Sequence, residues 1–313
     1  MSLRSKKTKV ILFGLNYNGT QHQLNGCIND TTLMKNCQES LLEVPSENIE
    51  LYTDETAIKP TKSDMIRILK NAIAEVNEGK YHTLWVHYSG HGTHYWDENG
   101  DENEENDGGV GMDEALCPLD DTLILDDELN ELFGTLKQNK MLVCIFDCCH
   151  SGTALDLPYH FSYRNGVISQ ENTSGSNQIK CNAILLSGCK DVQYSADAFK
   201  ISDKFDYTGA FTTALLKACK QKYSISLRDI MVRAFNFLQK KGFAQIPQIT
   251  CNFPVNVDKP FMKSRKRKQF INNIRLYRYY ANLYGYYYSI TGQNIYLQYK
   301  ETLMDYVKRL MIV

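Results

Sequence analysis

A chain of 313 residues with 43% hydrophobic and 23% charged residues can bury the core of one large α/β domain or two small ones. No run of about 18 apolar residues is present, which excludes a membrane-spanning helix. Ten cysteines without regular spacing and without a Cys-x-x-Cys pair give no support to a disulfide framework, a zinc ribbon or a thioredoxin-type site, and the formal net charge of −1 conceals an uneven distribution along the chain.

The N-terminal segment Met1 to Lys9 is basic, but the apolar run after it is too short for a signal peptide and carries no cleavage signal. Val10 to Leu15 reads instead as a first buried strand. Asn16 to Gln23 is a polar loop, and a helix follows with Asn29 or Asp30 as its expected N-cap. Ile49 to Tyr52 predicts a second strand. Thr61 opens a helix whose apolar face is Met65, Ile68, Leu69, Ile73 and Val76. Thr83 to Tyr88 is a third strand, followed at once by Ser89-Gly90-His91-Gly92-Thr93, where glycines on both sides hold an imidazole in a tight turn. Asp97 to Asp107 carries seven acidic residues in eleven. It is no EF-hand loop, since Glu102 stands at the sixth position and Gly108 at the twelfth. It reads as a solvated loop or the lining of a hard-cation site.

Met112 to Pro118 is a short extended piece, and Ile124 to Glu128 leads into a helix through Leu136 with acids at its positive end. Met141 to Phe146 is apolar throughout, as expected of a strand buried on both faces, and Asp147-Cys148-Cys149-His150-Ser151-Gly152 follows it directly. Asn182 to Ser187 is a fifth strand, Tyr207 begins a helix reaching about Lys220, Ser226 caps another with Ile230, Ala234, Phe237 and Leu238 on one face, and Gln248 to Cys251 is a last strand. Strands alternating with helices predict a mostly parallel sheet covered on both faces. No glycine-rich phosphate loop is present.

Two adjacent thiols at the carboxyl end of a buried strand can be structural, because free cysteines are commonly buried. Their position favours a nucleophile, because open α/β sheets place ligands at that edge. If the strands before His91 and Cys149 are neighbours, their ends lie about 5 Å apart. An imidazole there can generate the thiolate that attacks, and the backbone N–H groups around Gly92 and Cys149 are candidate oxyanion donors.

The pair Tyr88-Ser89-Gly90-His91-Gly92 and Asp147-Cys148-Cys149-His150-Ser151-Gly152 resembles the signature of the type I metacaspases, which are caspase-like cysteine peptidases. Supporting matches are Gly26-Cys27-Ile28-Asn29-Asp30, Asp113, Ile124 to Glu128, Asp156-Leu157-Pro158-Tyr159 and Leu186 to Asp191, so that the resemblance covers about residues 9–258. It implies a caspase-like three-layer αβα sandwich around a mostly parallel sheet of six to eight strands. It implies hydrolysis of peptide bonds after Arg or Lys by a His91–Cys149 dyad, with Cys148 auxiliary. It implies a cation-binding pocket of Cys27, Asp30, Ser89 and Asp147, and an activating calcium ion on Asp113, Asp126, Asp127 and Asp156. Four carboxylates suit a hard cation, and buried carboxylates suit a guanidinium. Protein or peptide substrates are therefore the expected partners, with no membrane and a monomeric chain. Many members carry a Pro/Gln-rich leading segment, and none is expected before this first strand. A catalytically silent, calcium-responsive interaction protein is the alternative, against which the retention of both His91 and Cys149 argues.

Residues 259–313 hold 11 Lys/Arg and 2 Asp/Glu, net +9, with 10 of the 20 tyrosines, whereas residues 1–258 hold 24 and 34, net −10. A boundary is expected near Asp258, between a peptidase domain over 1–258 and a basic, Tyr-rich extension over 259–313. Lys263 to Lys268 can serve nuclear entry or nucleic-acid binding, but the acidic bulk of the chain argues against nucleic acid as the main partner. With no secretory signal, reduced thiols and a cytoplasmic location are expected.

Overall fold

The computed structural model describes residues 7–96, 112–149, 152, 154–164, 166–172, 178–188, 197–199, 202, 205–220, 224–263 and 265–312. The acidic run Asp97–Asp107, His150, Ser151 and Cys189 to Asp191 lie outside them, as do the side chains of residues 264–271.

The elements in chain order are β1 (Thr8–Gly14), α1 (Cys27–Ser40), β2 (Ile49–Thr53), α2 (Lys62–Asn77), β3 (Thr83–Ser89), β4 (Gly92–Trp96), β5 (Met112–Leu116), β6 (Ile124–Leu125), α3 (Asp126–Gly134) and β7 (Met141–Asp147). They continue with β8 (Tyr159–Arg164), β9 (Val167–Asn172), β10 (Asn182–Ser187), β11 (Asp197–Phe199), β12 (Tyr207–Gly209), α4 (Ala210–Lys220), β13 (Ser224–Ser226), α5 (Leu227–Lys240), β14 (Gln248–Cys251), β15 (Pro260–Lys263), α6 (Arg265–Thr291) and α7 (Asn294–Ile312). Eight strands form the main sheet in the order β2-β1-β3-β7-β10-β14-β8-β9. From β2 to β10 all neighbours are parallel, and the last three pairings are antiparallel.

The central strands read as largely apolar runs because both faces are covered, and their side chains alternate between two cores. Ile11, Phe13, Leu84, Val86, Leu142, Cys144, Phe146 and Leu185 pack with α2 and α3 on one face. Val10, Leu12, Trp85, Met141, Val143, Ile145, Ile184 and Leu186 pack with α1, α4 and α5 on the other. The result is an αβα sandwich, as expected. Thr61 caps α2 by accepting the Asp64 N–H, and Ser226 caps α5 by accepting that of Asp229.

Two sequence expectations need correction. Helix α1 begins at Cys27 with Gly26 as N-cap, ahead of Asn29 and Asp30. Its free N–H groups are served from outside the helix, since Asn16 Oδ1 accepts from Cys27 N and Ile28 N at 2.9 and 3.3 Å. Asp30 is thereby released from capping. Tyr207–Gly209 is a short strand paired with β11, and the helix starts at Ala210. The polar stretch after Asp156 contains the hairpin β8–β9, which extends the sheet with a mostly exposed edge strand.

The larger compact unit of the chain ends at Met262, and Val257, Phe261 and Met262 are buried within its core. Helices α6 and α7 belong to the other unit. They pair as a helical hairpin through tyrosines, with rings of Tyr277 and Tyr306, Tyr284 and Tyr299, and Tyr287 and Tyr296 at 5.1, 5.3 and 5.6 Å. No helix among the described residues is long and apolar enough to cross a membrane.

His87 sits in the middle of β3, fully buried, with Nε2 3.4 Å from Thr212 Oγ1. Burial pushes its pKa down to about 3, so the folded chain holds it neutral where an unfolded chain protonates it. Its contribution to stability is therefore lost as pH falls from about 6.5 towards 3, at up to about 1.4 kcal/mol per pH unit. Urea unfolding between pH 4 and 7 is expected to show a shallower pH slope for His87→Gln than for the parent chain, and equal slopes would refute this.

Candidate functional site

Strands β3 and β7 are parallel neighbours, with Tyr88 opposite Phe146 and Ser89 opposite Asp147. Gly14 at the end of β1 stands opposite Ser89 on the other side. Three strand ends thus reach one edge together, and the segments carrying His91 and Cys149 leave from it side by side. Gly92 packs directly on the second of these segments. A Cβ on Gly92 would lie 2.2 Å from the Cys149 carbonyl oxygen and 3.3 Å from Cys148 Sγ, so only glycine fits. The two thiols differ in access, Cys148 being 0% exposed and Cys149 partly open.

His91 is held on several sides. Its backbone N–H donates to Tyr17 Oη at 2.9 Å, and Tyr88 Oη donates to its carbonyl oxygen at 2.7 Å. The Tyr17 ring lies against the imidazole with centroids 4.7 Å apart. The two hydroxyls are 3.1 Å apart, and burial pushes both phenols well above their usual pKa, so both stay protonated donors. Nε2 of His91 is 2.7 Å from the His22 carbonyl oxygen. A carbonyl only accepts, so Nε2 carries the ring proton and Nδ1 is the basic nitrogen. Cys117, opposite His91 through a 3.2 Å N–H to carbonyl bond, has its thiol pushed up to about 11, first by burial and then by the charge of Cys149. It is protonated near neutral pH.

The residues expected to form a cation pocket are also brought together. Asp30 is 0% and Asp147 3% exposed. Ser89 Oγ donates to Asp30 Oδ2 at 2.7 Å. Cys27 is buried one helical turn before Asp30 on α1. Two partners are not legible in the sequence: Gly209 N donates to Asp30 Oδ1 at 2.9 Å, and Thr212 N donates to Asp147 Oδ2 at 2.7 Å. These are the N–H groups left free at the start of α4, and their positive end faces both carboxylates. Gly209 lies so close that a Cβ there would be 2.2 Å from Asp147 Oδ2 and 2.5 Å from Asp30 Oδ2. The only signal for it in the sequence is the Thr-Gly pair before an apolar helix. Tyr17 and His22 lie in what reads as a plain polar loop.

The four aspartates expected to bind calcium come from three segments. Asp113 is buried on β5, Asp126 and Asp127 open α3, and Asp156 follows β7 in a left-handed backbone conformation with φ 45°. Asp126 accepts the N–H groups of Glu114 and Asp127 at 2.9 and 2.8 Å, and Asn130 on α3 reaches Asp156 at 3.1 Å. Burial raises the Asp126 carboxyl above its ordinary value. Among the described residues, no three His, Cys, Asp or Glu side chains stand grouped as metal ligands. The donor chemistry fits a hard cation.

This arrangement has relatives. The caspase domain of the peptidase C14 family matches residues 7–257. Metacaspase-5 of Trypanosoma cruzi (strain CL Brener) is 33% identical over 273 residues, covering 82% of this chain and 60% of that protein. Metacaspase-2 of Trypanosoma brucei brucei is 28% identical over 83% of this chain and 77% of its own length, and Metacaspase-1 of Saccharomyces cerevisiae is 29% identical over 82% and 69%. The chain thus spans about three fifths to three quarters of these curated relatives. The solved structure of protein GSU0716 from Geobacter sulfurreducens shares the fold, with a TM-score of 0.56 at 22% identity over 83% of this chain and 98% of that one. The chain belongs to the C14 family of caspase-like cysteine peptidases, in its metacaspase branch.

Proposed function

We propose that the chain is an endopeptidase that cuts protein substrates after Arg or Lys, using Cys149 as nucleophile and His91 as acid and base, with calcium as a non-catalytic activator. The observation that carries this reading is the edge shared by β3 and β7. There a partly open thiol and a braced imidazole flank Gly92, beside two buried carboxylates. His91 Nδ1 takes the Cys149 proton, and the thiolate adds to the scissile carbonyl. The resulting oxyanion is within reach of the backbone N–H groups around Gly92 and Cys149. The imidazolium then protonates the leaving amine, and the C–N bond breaks. A water molecule, giving its proton to His91, adds to the thioester carbonyl, and the Cys149 thiolate departs as the acid product forms. Cys148, buried at 0% exposure, has no bond-making role and is auxiliary.

Asp30 and Asp147 supply the negative charge that a substrate cation meets, and a guanidinium fits paired carboxylates through bidentate bonds. The amides of Gly209 and Thr212 serve the same oxygens. A substrate side chain therefore displaces Tyr207–Gly209 as it enters. Calcium would be held by Asp113, Asp126, Asp127 and Asp156. Since these are not grouped, binding would draw β5, α3 and the Asp156 turn together, and its chemistry is that of an organising charge.

Cys149→Ala is expected to abolish turnover of an Arg-terminated fluorogenic peptide, at least 10³-fold, while Cys148→Ala retains a measurable part. The reverse pattern would contradict the assignment of the nucleophile. Asp-terminated peptides should be turned over at least a hundredfold more slowly, and comparable rates would refute the Asp30–Asp147 pocket. A calcium chelator should suppress turnover and lower the melting temperature, with both restored by added calcium. No change in either, or the same response in Asp126→Asn, would end the four-aspartate site.

A further inference from the structure

The two faces of the sheet differ at the catalytic edge. Asp30, Ser89 and Asp147 meet Gly209 under α1 and α4, whose apolar residues Leu33, Met34, Phe211 and Leu215 belong to one core. On the other face, where Tyr17, Tyr88, Leu116 and Ile124 pack with α2 and α3, lies a cleft of about 640 Å³. Its walls include Tyr17, Lys59, His91, Thr93, Leu119 and Leu123, and none of the cation-pocket residues. On the proposed reading, the substrate cation is met only by the buried carboxylates of the first face. The cleft is of the size that accommodates small ligands and short peptide segments.

We propose that this cleft binds the part of the substrate on the leaving side of the cut, and that it selects an apolar side chain there. The inference rests on the peptidase reading. A substrate whose cation enters under α1 and α4 has its scissile carbonyl at Cys149. The nitrogen that departs must lie at His91, which gives it a proton. His91 is part of the cleft wall. The chain beyond that nitrogen therefore runs away from the carboxylates, over the α2 and α3 face, and into this opening. Its walls are mixed: Tyr17, Pro118, Leu119 and Leu123 offer apolar and aromatic surface to a side chain, and His22, Lys59 and Asp121 stand among them. Asp54, also in the wall, already accepts the N–H groups of Asn16 and Asn18 at 2.7 and 3.0 Å, which shapes the loop carrying Tyr17. Burial of one apolar side chain at such a place corresponds to about a tenfold gain in specificity.

The test compares substrates with one Arg-terminated acyl part and three leaving groups: an aminocoumarin, a Gly-Gly peptide and a Leu-Gly peptide. The cleft assignment expects kcat/KM for Leu-Gly to exceed that for Gly-Gly at least tenfold. Thr122→Trp, which fills the cleft from its exposed rim, and Leu119→Ala, which removes wall area, should each bring kcat/KM for Leu-Gly down to that for Gly-Gly. Equal rates for the two peptides, or variants that slow all three substrates alike, would overturn the cleft assignment and leave the peptidase reading standing. Absence of turnover of all three by the parent chain with calcium present would overturn both.

Discussion

The site depends on one pairing, the parallel ladder between β3 and β7. Its register sets Ser89 opposite Asp147, and that single correspondence fixes where both chains leave the sheet. A slip by one residue would turn Ser89 from the α1 face to the α2 face and exchange it with Tyr88. Ser89 would then lose its 2.7 Å bond to Asp30, and Tyr88 its bond to the His91 carbonyl oxygen. The buried runs Leu84 to Tyr88, with His87 as their one polar member, and Leu142 to Phe146 guard against such a slip, because their apolar side chains alternate between two filled cores.

The carboxylate pair shows how the helices complete what the strands begin. Two buried acids side by side are costly without partners. Here α4 points its free amides at them, and Gly209 permits the approach that any side chain would block. The same contacts leave Asp30 at 0% exposure, so under the proposed function a substrate cation would exchange amide for guanidinium at these oxygens. Opposite this closed pocket, the cleft beside His91 is open. On the proposed reading, a cation held on one face and the leaving segment on the other would divide the substrate between the two at its scissile bond.

Much of this is legible in the sequence where local pattern and tertiary packing agree. The buried strands, the capped helices α2 and α5 and the turns after β3 and β7 follow from apolar runs and cap residues within a few positions. The start of α1 is not legible, because its cap comes from Asn16, eleven residues before Cys27, and no local pattern records that. The hairpin β8–β9 escapes notice because an edge strand exposes most of its side chains and carries little apolar periodicity. Tyr17, His22 and Gly209 matter through what they meet in space. Tyr17 sits in a left-handed backbone conformation within a loop that reads as merely polar. The Tyr-rich C-terminal residues read only as a basic extension with no role or structure assigned, whereas cross-hairpin ring contacts organise them as two long helices.

The central claim is that Cys149, rather than its neighbour or Cys117, attacks a carbonyl placed by a cation at Asp30 and Asp147. Covalent trapping with an Arg-terminated peptidyl chloromethyl ketone, followed by peptide mass spectrometry, tests it most directly. The expected result is a stoichiometric adduct on Cys149 that is lost when the Arg of the probe is replaced by Asp. An adduct on Cys148 or Cys117, or labelling indifferent to the charge of the probe, would contradict it.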